Sequence, residues 1–576
     1  MQNVVKQPKS SLKCAHFRAL FLSTLFFTFA GCGSAKETAS SNTTTATGPT
    51  CTSTALTGTS WVPNIRDKNG TLVATSHHNA ATEIYKNTYT GSGFVTGLTQ
   101  SYDSSHVITV SGIVMSTDLL ANGSISLVAK PTSIPSAFAS ADIPIYPMLV
   151  SLSDGTNEWV NVTGCTGGFY SSCSDDDCTE VSACGPKSPT AFVGSSNAER
   201  KSRWEEQHSL LTNEQISVTS FPTCNWAAGS PSCEFNTSLF SGGKLRTGTY
   251  TAKYVMVAST PTNLSNNYSV GLQVDVIRKK SATSVGGGAL DLNVVLVGTK
   301  NIRDSRTEKG KQNLDALFAH FYNHYNADNA SAVGVKLGAV NVYEWICENG
   351  GDVYANVDLS DRGEMFSVGS SLVDSASESK AVNIFLVSTI PYSSTNYTVL
   401  GVSGGIVGSM LNGTTRSGLA FSTFDSLASY NSRCSPGSDC TILLQESDFI
   451  EMGGTISHEV GHFLGLYHPS ESNGSDHDPI PDTPSCSSTS TIISGGRTYH
   501  QTTISSCRSV AETDCRAVCS SADYLVNNPY CADKAECQFN HVMWWTSKDH
   551  DSNGNGNGNL FSAQSGKIMN YSSFVQ

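Results

Sequence analysis

The chain is poor in charge: only 14% of its 576 residues are Asp, Glu, Lys or Arg. The formal net charge is −13 and no long basic run is present, so no nucleic-acid partner is expected. A Gly-rich phosphate loop ending in GK[ST] is missing, and so is a GxSxG elbow. Those absences remove the signatures of P-loop nucleotide binding and of serine-hydrolase chemistry. No internal repeat is found. The N-terminal apolar stretch, Ala19 to Ala30, has 12 residues and falls short of the roughly 20 that a helix needs to span a bilayer.

That stretch follows a basic region holding Lys6, Lys9, Lys13 and Arg18. The combination is the form of a secretory leader. It ends at Phe29-Ala30-Gly31-Cys32, which resembles a bacterial lipobox, with Phe29 departing from the usual Leu. The resemblance implies removal of residues 1–31 and a lipid on the Cys32 thiol, anchoring the chain in a membrane. Gly33 is not the Asp that retains lipoproteins in the inner membrane, so the outer membrane or cell surface is the expected place. Ordinary secretion is the alternative.

Of 18 cysteines, Cys14 falls in the leader and Cys32 is the lipid site. An even, clustered remainder in an exported chain reads as disulfides, although spacing cannot give their pairing. Cys515 and Cys519 form CxxxC without a second matching pair, which argues against a closed structural zinc site.

Residues 32–55 are rich in Ser, Thr and Ala and read as a tether. Across 56–285, short alternating runs are split by Gly, Asn, Ser and Pro. Examples are His106 to Val114, Tyr250 to Val257 and Tyr268 to Ile277. Such patterning predicts an all-β, sandwich-like or Ig-like region of one or two modules. Asn197 to Thr212 is its only clear helical candidate. Gly286-Gly287-Gly288 marks a boundary, and 286–576 reads differently. Leu290 to Val297, Val335 to Val342 and Val382 to Val387 are candidate buried strands, and Gly418 to Phe421 a candidate edge strand. Leu314, Leu317, Phe318 and Phe321 mark one face of a helix. The expected fold is therefore multidomain, with a β-rich region followed by an α/β domain.

The second half carries HEVGHFLGLYH at 458–468. His458 and His462 are four apart, so one helix face presents both imidazoles to a single ion. Ile456, Val460 and Leu464 are placed to bury the other face. Gly465 permits the left-handed turn that ends a helix and returns His468 as a third ligand. Three protein ligands leave one zinc position for water, the mark of a catalytic site. Glu459 is then the general base that takes the proton of the zinc-bound water.

The segment resembles the metzincin pattern HExxHxxGxxH. The following HPSESNGSDHDPIPDTPSC resembles the pappalysin and cytophagalysin branch, in which the third histidine precedes an Asp-Thr-Pro element and a cysteine; here these are Asp482-Thr483-Pro484 and Cys486. The resemblance covers about 288–576. It implies a metzincin-type catalytic domain with a twisted mixed sheet, an active-site helix and a C-terminal helix. It implies a zinc-dependent endopeptidase acting on extracellular proteins or peptides. It also implies calcium near the loop, with Asp476, Asp478 and Asp482 as candidate oxygen ligands; a solvated acidic loop is the plain alternative.

The resemblance also implies a methionine turn beneath the zinc. Met543 is favoured, because Phe561 to Asn570 resembles the closing helix of such domains, with Ser562 as its N-cap, and because Cys537 lies just upstream. Met569 with Tyr571 is the alternative. With Met543, Trp545 takes the place of a tyrosine near the metal, and indole cannot ligate zinc. The competing functional reading is a surface adhesin that binds through its β-rich region and keeps a vestigial zinc domain.

Overall fold

In the computed structural model the described residues lie within 56–73, 84–161, 216–298, 305–423, 444–466 and 542–575, with short strand pairs at 173–178 and 492–499. They form mixed β-sheets with few helices. Of the expected features, the leader, the tether and Asn197 to Thr212 fall outside these residues.

A ten-stranded sheet occupies the first half. Its centre is Ser269–Lys279, antiparallel to both Ile84–Gly97 and Ser124–Ser133. Gly248–Ala258 is antiparallel to Val107–Met115 and to Ile145–Ser153, and joins Ile84–Gly97 through a short parallel contact. The alternation seen in the sequence has its cause here. Tyr250, Ala252, Tyr254, Met256 and Ala258 enter a buried cluster with Ile125, Leu127, Leu149, Val274 and Val276. Gly91 and Gly93 let neighbouring strands come close, since a β-carbon at either would lie within 2.6 Å of an Ile108 side-chain carbon. At the sheet's end, the register sets Cys224 opposite Cys233.

The second sheet has six strands: β1 (Thr57–Gly58), β2 (Ala289–Val297), β3 (Lys336–Trp345), β4 (Val382–Val387), β5 (Gly401–Ser403) and β6 (Leu419–Ser422). Their order is β1-β3-β2-β4-β6-β5. The β3-β2-β4-β6 segment is parallel, and β1 and β5 close its two edges in the antiparallel sense. Every residue of β2, β4 and β6 is buried. That explains why these strands read as largely apolar runs rather than alternations. Asn341, Asn293 and Asn383 share one register across β3, β2 and β4 and bond side chain to side chain.

Two expectations are corrected. Gly418 to Phe421 was expected at the sheet edge; β6 is an inner strand, because Gly401–Ser403 pairs along its outer side. The first residues of 56–285 do not join the β-rich sheet. Instead β1 pairs with β3, and Trp61 and Ile65 are buried in the core of the second sheet beside Phe318 and Leu314. The Trp61 indole donates to Asp315 Oδ1 at 2.9 Å, and the Asn64 amide donates to the same oxygen at 2.7 Å. An aromatic anchor and a two-residue pairing are too short to register as periodicity.

Helix α1 (Glu308–Tyr325) buries Leu314, Leu317, Phe318 and Phe321, as its spacing predicts. Helix α2 (Arg362–Leu372) packs Met365 and Phe366 with Phe385 and Val387 of β4. Helix α3 (Glu446–Phe463) lies against α1. Gly453 permits this approach: a β-carbon there would sit 2.6 Å from His320 Cβ.

Candidate metal centre

Helix α3 brings His458, Glu459 and His462 to its last two turns. Ile456, Val460 and Leu464 are fully buried on its packed face. The helix is pinned from behind: Tyr325 of α1 donates its hydroxyl to the Ser457 carbonyl at 2.8 Å. The Ser457 hydroxyl lies 2.7 Å from His324 Nδ1 and donates to the Gly453 carbonyl at 2.9 Å.

The helix ends as HFLGL requires. Gly465 has φ +113, the Leu466 amide donates back to the Gly461 carbonyl, and the Gly465 amide donates to the His462 carbonyl, both at 2.9 Å. This crossed pair is the Schellman arrangement, and it needs a residue that tolerates positive φ.

Both histidines are buried, with ring centroids 4.6 Å apart and planes at 87°. His458 Nδ1 lies 2.9 Å from the Val542 carbonyl, and His462 Nδ1 lies 2.7 Å from the Leu466 carbonyl. A carbonyl only accepts, so each Nδ1 carries its ring's proton and each Nε2 carries the lone pair. That is the tautomer a metal-ligating imidazole adopts when its other nitrogen is held by a carbonyl.

Glu459 is 2% exposed, and its Oε2 has no hydrogen-bond partner. Its carboxylate accepts the backbone N–H of Ser403 on β5. Burial pushes the carboxyl up to about 8, with the Ser403 amide pulling the other way. Two imidazoles of fixed tautomer and a buried, half-satisfied carboxyl on the same two helical turns are a set that fits a divalent cation with nitrogen ligands. An orphaned carboxylate oxygen in a purely structural helix would be a cost with no return.

Met543 and Met569 are both fully buried in the same core. They differ in placement. Met543 lies against the turn carrying both histidines: a β-carbon on Gly461 would sit 2.3 Å from its Sδ. Its neighbour Val542 supplies the carbonyl that holds His458. Met569 is helical, as are Ser565, Gly566 and Asn570.

His468, Tyr571, Asp476, Asp478, Asp482 and Cys32 lie outside the described residues. Among the described residues no three His, Cys, Asp or Glu side chains form a metal-binding group. The sequence reading missed the Val542 and Leu466 carbonyls, the Ser403 amide and Gly401. Backbone groups carry no residue-type signal, and Gly401 stands 58 positions from the glutamate it faces. Compared with known proteins, the chain matches no family model and no curated protein.

Proposed function

We propose that the chain is a zinc-dependent endopeptidase of metzincin type, close to the pappalysin branch. In this reading an exported, β-rich region accompanies an α/β catalytic domain, and a lipid on Cys32 tethers both to the outer membrane or cell surface. The observation that carries the reading is the joint state of three neighbouring side chains. His458 and His462 present Nε2 lone pairs because backbone carbonyls hold their Nδ1 protons. Glu459 is buried beside them with one oxygen unpartnered.

Zinc held by His458, His462 and His468 would supply a Lewis acid that acidifies water and polarises the scissile carbonyl. The chain's own residues do the rest. Glu459, in its ionised form, takes a proton from the attacking water and delivers it to the departing amine. The Ser403 amide holds that carboxylate in place. Gly465 turns the chain so that His468 follows three residues later. Met543 supports the histidine turn from below and is the proposed methionine turn. With Trp545 two residues on, no phenol is available there for oxyanion stabilisation. Asp476, Asp478 and Asp482 are the proposed oxygen ligands of a calcium ion that orders the loop after the third histidine.

The test is cleavage of casein or gelatin by the wild-type ectodomain and by Glu459→Ala, with and without chelator. Chelator-sensitive cleavage lost in Glu459→Ala is expected. An intact ectodomain that cleaves none of a varied substrate set, but binds a surface partner, overturns the reading in favour of an adhesin.

A further inference from the structure

The antiparallel edge strand β5 does more than close the sheet. Gly401 pairs with Phe421, and Ser403 with Leu419. Immediately beyond, the Gly404 amide donates to the Gly418 carbonyl at 2.8 Å. A β-carbon at Gly404 would lie 2.6 Å from that same oxygen. The strand is thus fixed at both ends, and with it the height of the Ser403 N–H over α3.

Gly401 faces Glu459. A β-carbon built on Gly401 would lie 2.5 Å from Glu459 Cγ, 2.9 Å from Oε1 and 3.0 Å from Cδ. The closest atom is in the stem, so rotating the carboxyl tip does not relieve the clash. Gly401 is not among the residues of positive φ. Its backbone therefore accepts any L-residue, and what demands glycine is the approach of the glutamate.

We propose that Gly401 is a positioning residue for Glu459, its missing side chain forming the seat that holds the carboxylate on the Ser403 amide. The consequence for catalysis rests on the endopeptidase reading; the contact itself does not. Alanine at 401 displaces the stem and lifts the carboxylate from that amide, while the histidines, held by Val542 and Leu466, stay where they are.

The experiment compares wild type, Gly401→Ala, Glu459→Ala and the double variant, each loaded with zinc. Metal content, thermal midpoint, and kcat and KM on a cleaved protein substrate are measured. Gly401→Ala is expected to keep stoichiometric zinc and a near wild-type KM, with kcat reduced about tenfold or more, as general-base catalysis contributes roughly 10²–10⁴-fold. Its midpoint should fall in the wild-type background. In the Glu459→Ala background, where the clashing atoms are gone, less than half of that fall should remain. Equal midpoint losses in both backgrounds, an unchanged kcat, or loss of zinc overturns the proposal. If Gly401→Ala alone fails to fold, the double variant must fold, and its failure is equally fatal. Absence of cleavage by wild type would count against the endopeptidase reading, while the midpoint comparison would still decide the contact.

Discussion

A methyl group on Gly461 would stand 2.3 Å from the sulfur of Met543, so the histidine-bearing turn rests on that methionine without a side chain between them. The adjacent Val542 carbonyl binds His458. On the endopeptidase reading proposed above, floor and zinc ligand are therefore one unit. Gly461→Ala and Met543→Ala should both weaken zinc retention in dialysis against a chelator. Met569→Ala removes a methionine that is also fully buried in this core, but whose neighbours supply no carbonyl to His458. It should cost stability, about 2–5 kcal/mol as for other buried methionines, and leave zinc retention near wild type. Equal retention in Met543→Ala and Met569→Ala would sink the assignment.

Trp61 ties the start of the described chain to the second core. Its indole is buried beside Phe318, with centroids 5.9 Å apart, although it is 254 positions from its partner Asp315. Trp61→Ala should lower the stability of the six-stranded unit by about 3–5 kcal/mol, seen as a lower denaturant midpoint. A truncation that starts at Gly288 should behave the same way, because β1 is lost with it.

Asp315 supplies a pH signature. Burial raises its carboxyl above the ordinary 3.8, with the Asn64 amide and the Trp61 indole opposing that rise. The folded chain then holds this proton to higher pH than the unfolded chain. Stability from this group is greatest at low pH and is lost as pH rises above 3.8 through the folded value. Asp315→Asn keeps an acceptor for Trp61 and removes the titration. The midpoint of wild type relative to Asp315→Asn should fall across that window and then level off; a rise would contradict the burial effect.

Gly454, next to Gly453 on α3, is a contrasting case. A β-carbon there meets nothing within 4 Å. Gly454→Ala should stabilise the helix by about 0.5–1 kcal/mol and leave cleavage unchanged. Thermal melts beside activity assays check both.

Cys224 stands directly opposite Cys233 in an antiparallel pair, and opposed Cα atoms at about 4.5–5.5 Å lie within disulfide range. Peptide mapping without reduction should recover a Cys224–Cys233 link. A free thiol at either position in protein folded under oxidising conditions would refute it.

The sequence by itself carried what depends on local spacing. The i, i+4 histidines, the Gly465 turn, the face of α1 and the runs of β2, β4 and β6 are all short-range patterns. Side-chain period and glycine's backbone freedom write such patterns directly into residue order. Only the tertiary structure decided the rest. Trp61 belongs to a core whose next strand begins more than two hundred residues later. β5, invisible as three residues, became the sheet edge that receives Glu459. Val542, Leu466 and Ser403 act through backbone groups that every residue shares. Gly401 matters because a distant carboxylate needs its empty space. Each of these depends on contacts between chain segments far apart in sequence, and no local pattern encodes them.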